Sequence, residues 1–175
     1  MAHPEQQAFF SRVKAKFPDK FRRVTIYDMG SLDVNGSLKD MFEDSNYTGI
    51  DIHPGKNVDI ISKVHEFTNP NLADTIVSGE MLEHDRHWVS SLNRMFQLLK
   101  PGGLMVISAA GPARAEHGTR RSGNNEQNMW GTDPDYYRNI SFEMIHTWLA
   151  DIYPIAEFHF EYGRNQEDSY FYLVK

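Results

Sequence analysis

The residues with the clearest chemistry are two aspartates, Asp28 and Asp51, 23 positions apart. Each closes an apolar run: VTIYD over residues 24–28 and YTGID over residues 47–51. Carboxylates at neighbouring strand tips accept paired hydroxyls, as a ribose presents them. Between the runs lies the loop Gly30-Ser31-Leu32-Asp33-Val34-Asn35-Gly36, then a short helical pattern over residues 36–42 with Leu38, Met41 and Phe42 inward. Strand, loop, helix and strand in that order bind nucleoside cofactors at the carboxyl edge of a parallel sheet.

The loop narrows the choice of nucleoside. A dinucleotide fingerprint needs G-x-G-x-x-G, so that backbone amides approach a pyrophosphate. Leu32 occupies the second glycine position, and Asp33 adds a carboxylate where phosphate charge would lie. Like charges repel strongly in a partly dry site. The loop is a poor pyrophosphate cradle and suits a cationic ligand, such as the ammonium and sulfonium of S-adenosylmethionine. Asp51 by itself fits the ribose of NAD equally well, so a nicotinamide oxidoreductase is the competing reading.

The segments YDMGSLDVNG and YTGIDI resemble the first two motifs of class I S-adenosylmethionine-dependent methyltransferases, of the small type 11-like kind. DTIVSGEMLEHDRHW and LLKPGGLMVIS resemble that family's fourth strand and its Pro-Gly-Gly turn into the fifth. The likeness is good over residues 22–110 and rests on element order elsewhere. It departs at Leu32, where the family has glycine. The resemblance implies that Asp28, Gly30 and Ser31 shape the methionine end, with Asp51 and Ile52 at the ribose. Glu80 and Met81 then form the cleft floor. His65, in the loop after the third strand, meets the adenine or is a plain surface histidine. His84 completes an E-x-L-E-H run and orients the loop or takes a substrate proton. The alternative within this likeness is a catalytically silent module that binds the cofactor or a partner.

The elements that position these groups follow from periodicity. Phe9, Val13 and Phe17 mark a leading helix over residues 4–17, which in methyltransferases often borders the cofactor cleft. Strands are expected at 24–27, 47–52, 58–62, 74–78 and 104–109. Asn69-Pro70-Asn71-Leu72 reads as a turn opening a short helix, placed too early to be a methyltransferase N-P-P-Y motif. Trp88, Leu92, Met95, Phe96 and Leu99 make a core-facing helix, stopped by Lys100, Pro101 and Gly102. Ser141 caps a last helix, and residues 155–162 and 169–174 form a closing hairpin. The expected fold is α/β, Rossmann-like and doubly wound, with a seven-stranded, mostly parallel sheet and a C-terminal antiparallel strand.

Residues 111–140 lack an apolar period and read as a lid or substrate loop. His117, Tyr137 and Arg138 are expected on the substrate side, with His84, His117 and Tyr137 as catalytic candidates. Arg114 and Arg138 are candidates to grip an acceptor anion. Glu80, Glu83, His84 and His87 invite a metal reading, but H-E-x-x-H is missing, and no metal is expected.

The chain of 175 residues fits one domain, with 40% hydrophobic residues to build a core. Without cysteine it has no disulfide framework, thiolate site or cysteine nucleophile. A formal charge of −6 disfavours nucleic acid as a partner. No run is long enough to span a membrane and the first residues lack a secretory pattern, so a cytoplasmic location is expected. The expected partner is a small-molecule acceptor; a homo-oligomer is left open.

Overall fold

A computed structural model describes residues 4–34, 36–123 and 131–175. Asn35 of the glycine loop and residues 124–130 of the expected lid lie outside the described residues. The elements run α1 (Pro4–Lys16), β1 (Thr25–Met29), β2 (Asn46–Asp51), β3 (Ile60–Ile61), β4 (Ala73–Gly79), α2 (Trp88–Leu98), β5 (Leu99–Ala110), α3 (Phe142–Leu149), β6 (Glu157–Tyr162) and β7 (Asp168–Val174). They build one sheet in the order β3-β2-β1-β4-β5-β7-β6. β7 runs antiparallel to both its neighbours, and the other six strands share one direction.

Alternation along the strands sends successive side chains to opposite faces. Ile26, Val77, Leu104, Val106, Tyr170 and Tyr172 meet Phe9, Phe10 and Val13 of α1 on one face. Tyr27, Ile76, Met105, Ile107, Phe171 and Leu173 meet α2 and α3 on the other. A strand buried on both faces must be apolar throughout, which is why β5 reads LMVIS without alternation. Pro4 and Glu5 open α1, and Lys14 and Lys16 close it, matching the helix dipole. Phe9 stacks on Tyr170 at 5.0 Å and ties α1 to β7.

Four local expectations change. The helix expected at residues 36–42 is a single 3-10 turn, Lys39–Met41. Gly36 stands at φ +123° and gives its amide to Asp33 (2.7 Å), and Phe42 leaves in extended conformation to stack on Phe21 (4.9 Å). So short a segment cannot repay helix nucleation. The helix expected after Asn69 is absent. The Asn69 side chain accepts the Asn71 amide (2.9 Å), a local bond that competes with helix. Strand β5 starts at Leu99 rather than 104, with a register shift that absorbs the Pro-Gly-Gly turn. Finally, Lys100 does not serve the end of α2. It pairs with Asp74 (2.8 Å), while Lys175 Nζ reaches the α2 carbonyl of Phe96 and that of Leu99 just beyond (2.8 and 2.9 Å).

Among the described residues between β1 and β5, only α2 joins consecutive parallel strands as a full helix. The connections from β1 to β2 and from β3 to β4 hold 3-10 turns. The carboxyl edge over β1 and β2 is correspondingly open.

Candidate cofactor and acceptor cleft

That edge forms a cleft of about 210 Å³, partly open to solvent. Every residue expected at the cofactor lines it except His65. The loop after β1 is built on Ile50, whose carbonyl accepts the amides of both Gly30 (2.8 Å) and Ser31 (3.1 Å). Gly30 stands at φ +88°, and a Cβ there would come within 2.7 Å of Met81 Cβ. Leu32, where the resembled family has glycine, itself lines the cleft. Its side chain lies over Gly55, where a Cβ would sit 2.3 Å from Leu32 Cδ1.

Asp51 is held from both sides. Its Oδ2 accepts the Leu32 amide (3.1 Å) and its Oδ1 the His53 amide (2.9 Å). Each oxygen keeps a lone pair for a guest hydroxyl. Asp28 is buried and accepts the Tyr47 hydroxyl. Burial, aided by repulsion from Asp51, pushes its carboxyl up to about 7 against the opposing Tyr47 bond. The Ser31 hydroxyl is buried with no hydrogen-bond partner among the described residues. Asp33 differs from expectation. Lys56 (2.6 Å) and the Gly36 amide claim its carboxylate and hold it below the usual range, so its charge belongs to the loop rather than to a ligand.

At the end of β4, Glu80 adopts φ +56° and anchors its amide on Ser108 (3.0 Å). Burial raises its carboxyl above the ordinary range, with Asp168 adding repulsion. Gln6 of α1 reaches Ser108 Oγ at 2.6 Å and stands 3.5 Å from Glu80. The bordering role expected of the leading helix is thus carried by Gln6, a polar residue that the apolar period did not single out.

His65 is the misplaced residue. Its ring packs on His87 at 4.3 Å, with Nε2 3.6 Å from Glu66, and it lines neither cavity. Ser62 and Val64, with Ile52 and Met81, line the second, smaller cavity beside Asp51 instead. The local signal available was Val64, an apolar residue beside His65 in that loop.

The acceptor side gathers residues far apart in sequence. The rings of His84, His117 and Tyr137 meet edge-on, with centroids 5.0, 5.1 and 5.5 Å apart. Burial lowers His84 to about 3, with His117 adding repulsion, so its imidazole is neutral at pH 7. His117 is lowered by the same cause. The segment after Trp130 closes over this group: the Thr132 amide donates to His84 O (3.2 Å), and Arg86 pairs with Asp133 (2.6 Å). A Cβ at Gly131 would lie 2.0 Å from His84 O, so this approach requires glycine. The two arginines do not gather as expected. Arg114 is committed to Asp168 and lies 3.6 Å from Glu80. The exposed Arg138 gives its backbone amide to Glu83 O (2.9 Å) and does not line the cleft.

No protein-family model and no curated protein sequence matches the chain. Solved structures do. N-methyltransferase NodS from Bradyrhizobium japonicum WM9, in complex with S-adenosyl-L-homocysteine, superposes with a TM-score of 0.63 at 17% identity, covering 99% of this chain and 88% of that one. Magnesium protoporphyrin IX methyltransferase from Synechocystis PCC 6803, with bound SAM, gives 0.62 at 14% identity over 98% and 79%. The 1,6-didemethyltoxoflavin-N1-methyltransferase of Burkholderia thailandensis gives 0.60 at 13% identity over 100% and 91%. With its strand order, its reversed β7 and these neighbours, the chain has the class I methyltransferase fold.

Proposed function

We propose that this protein transfers a methyl group from S-adenosylmethionine to an oxygen or nitrogen of a small-molecule or sugar-type acceptor. The carrying observation is Asp51, fixed at the tip of β2 beside the left-handed Gly30 loop, in a cleft that also presents Asp28 and Glu80. The residues present suit the cofactor. Asp51 offers lone pairs to a ribose diol, and the partnerless Ser31 hydroxyl asks for a polar guest. Ile52, Val64 and Met81 give an apolar wall for a base. Asp28 and Glu80 offset positive charge at the methionine end. The solved neighbours with bound SAM or SAH support the assignment.

When bound, the cofactor supplies a methyl on a sulfonium, already a good leaving group. The chain's task is chiefly to orient the two reactants, an effect worth roughly 7–11 kcal/mol. His84, neutral at pH 7, offers a lone pair to an acceptor proton at the far end of the cleft. His117 and Tyr137 hold its ring edge-on.

One observation favours a second reading. Arg114 is tied to Glu80 and Asp168, and Arg138 is exposed, so neither is poised for an acceptor anion. A catalytically silent module that binds the cofactor or a partner is the alternative. Calorimetry with S-adenosylmethionine and S-adenosylhomocysteine tests both readings. Binding of each, weakened about tenfold or more by Asp51→Asn, is the expected result. No binding at millimolar ligand would end the cofactor assignment. Binding without methylation across a broad acceptor screen would favour the silent module.

A further inference from the structure

One group of side chains lies beyond the cofactor residues. Glu83, His84 and His117 each offer a ligand atom, and these atoms lie within 4.8 Å of one another. Glu83 is fully buried, and no side chain among the described residues gives either carboxylate oxygen a hydrogen-bond partner; backbone amides, its own and that of Ala110, favour its charge. His84 Nδ1 is likewise buried without a hydrogen-bond partner. A buried carboxyl left unpaired is costly, and proteins resolve it with a proton, a pairing charge or a metal. Glu80, Glu83 and Asp168 cluster around a single guanidinium, that of Arg114.

We propose that Glu83, His84 and His117 bind a divalent transition-metal ion at the acceptor end of the cleft. Two imidazoles and a carboxylate make the donor set of catalytic zinc sites and of open-sided iron(II) sites. His117 is prepared as a ligand: its Nδ1 lies 3.2 Å from Ala115 O, an acceptor that fixes this nitrogen as the N–H and leaves Nε2 its lone pair. Tyr137 hydroxyl donates to the same carbonyl (3.3 Å), which secures that support. Ligands of a tetrahedral ion stand about 3.4 Å apart, so the cluster closes by roughly 1.4 Å at most when the ion enters. His84 and His117 line the cleft, so the remaining coordination positions face the acceptor. A hydroxyl of the acceptor would bind there, and the metal, in place of the His84 lone pair that it then occupies, would make the hydroxyl proton more acidic. The chemical class of acceptor is therefore an oxygen chelator. That last step rests on the methyl-transfer reading; the metal site does not.

The test uses the untagged full chain, stripped with chelator and titrated with cobalt(II) and then zinc(II). One cobalt per chain, with visible d–d absorption and a Kd of micromolar or tighter, is expected. Zinc should displace it. Glu83→Gln, nearly isosteric, and His117→Ala should each weaken cobalt binding tenfold or more, with far-UV circular dichroism unchanged. No binding at millimolar metal, or equal binding by wild type and both variants, overturns the site. Calorimetry with S-adenosylhomocysteine on the same samples keeps the two ideas apart. Metal bound without the nucleoside sinks the methyl-transfer reading alone, and nucleoside bound without metal sinks this one alone.

Discussion

Asp28 sits where a charge is costly. It is 4% exposed, next to Asp51, and supported by one hydroxyl from Tyr47. Its folded pKa of about 7 lies above the unfolded value of 3.8, so the folded chain holds a proton that the unfolded chain releases. The stabilising contribution is complete below pH 3.8 and is lost as pH rises through about 7. Asp28→Asn removes the charge and keeps an oxygen for Tyr47. It should stabilise the free protein at pH 8 by up to about 4 kcal/mol, with little gain near pH 4. Thermal melts of both proteins from pH 4 to 9 check this; a pH-independent difference would refute it. The same variant should weaken S-adenosylmethionine binding, because the carboxylate that destabilises the empty cleft is the one a cation would neutralise. That Asp28, Gly30, Ser31, Asp51, Glu80 and Met81 would line one cleft was readable before folding, because strand tips and the loop between them are local features. His65 was not. Whether a loop side chain faces the cleft or a neighbour depends on rotation about its backbone, and here His87, which precedes α2, captured the ring.

At the scale of elements, the cleft depends on close backbone approaches. β2 passes Asn57 so tightly that a Cβ on Gly49 would fall 1.8 Å from Asn57 O and 2.6 Å from Ser31 Oγ. Gly49→Ala must push β2 away from the turn before β3 and disturb the Ser31 loop. A loss of about 3 kcal/mol or more is expected, near 10 °C in melting temperature for a domain of this size. An unchanged melting curve would contradict the packing described. On the other face, α3 is pinned to α2 by Trp148 Nε1 on Asn93 Oδ1 (2.8 Å). Trp148→Phe should lower stability by about 1–2 kcal/mol, since Asn93 loses its donor and a void opens. Denaturant unfolding with an unchanged slope would show that value directly. The apolar periods marked α1, α2 and α3 correctly because each buries one stripe. The failed helices at 36–42 and after Asn69 are short segments whose polar side chains captured backbone amides first. Periodicity does not register that competition.

At the scale of the whole molecule, the acidic cleft adds to an overall formal charge of −6. S-adenosylmethionine carries a sulfonium charge that S-adenosylhomocysteine lacks. Raising salt from about 50 to 500 mM shortens the Debye length from about 14 to 4 Å, so the sulfonium ligand should lose affinity more steeply than the thioether. Parallel salt slopes would mean that the carboxylates do not act on the sulfur. Among the described residues no helix is long and apolar enough to cross a membrane.

The sequence by itself determined the order of the strands and of the three full helices and the acids at the tips of β1, β2 and β4, while the reversed final strand came with the family resemblance. That order and those acids are set by local alternation and by turn chemistry within a few residues. Only the tertiary structure decided which distant groups meet. It brought His84, His117 and Tyr137 to one point, buried Glu83 beside them and turned Arg114 inward onto Asp168. Contacts across such separations depend on how the segment after β5 folds back over the sheet edge, and no periodicity along the chain records that path.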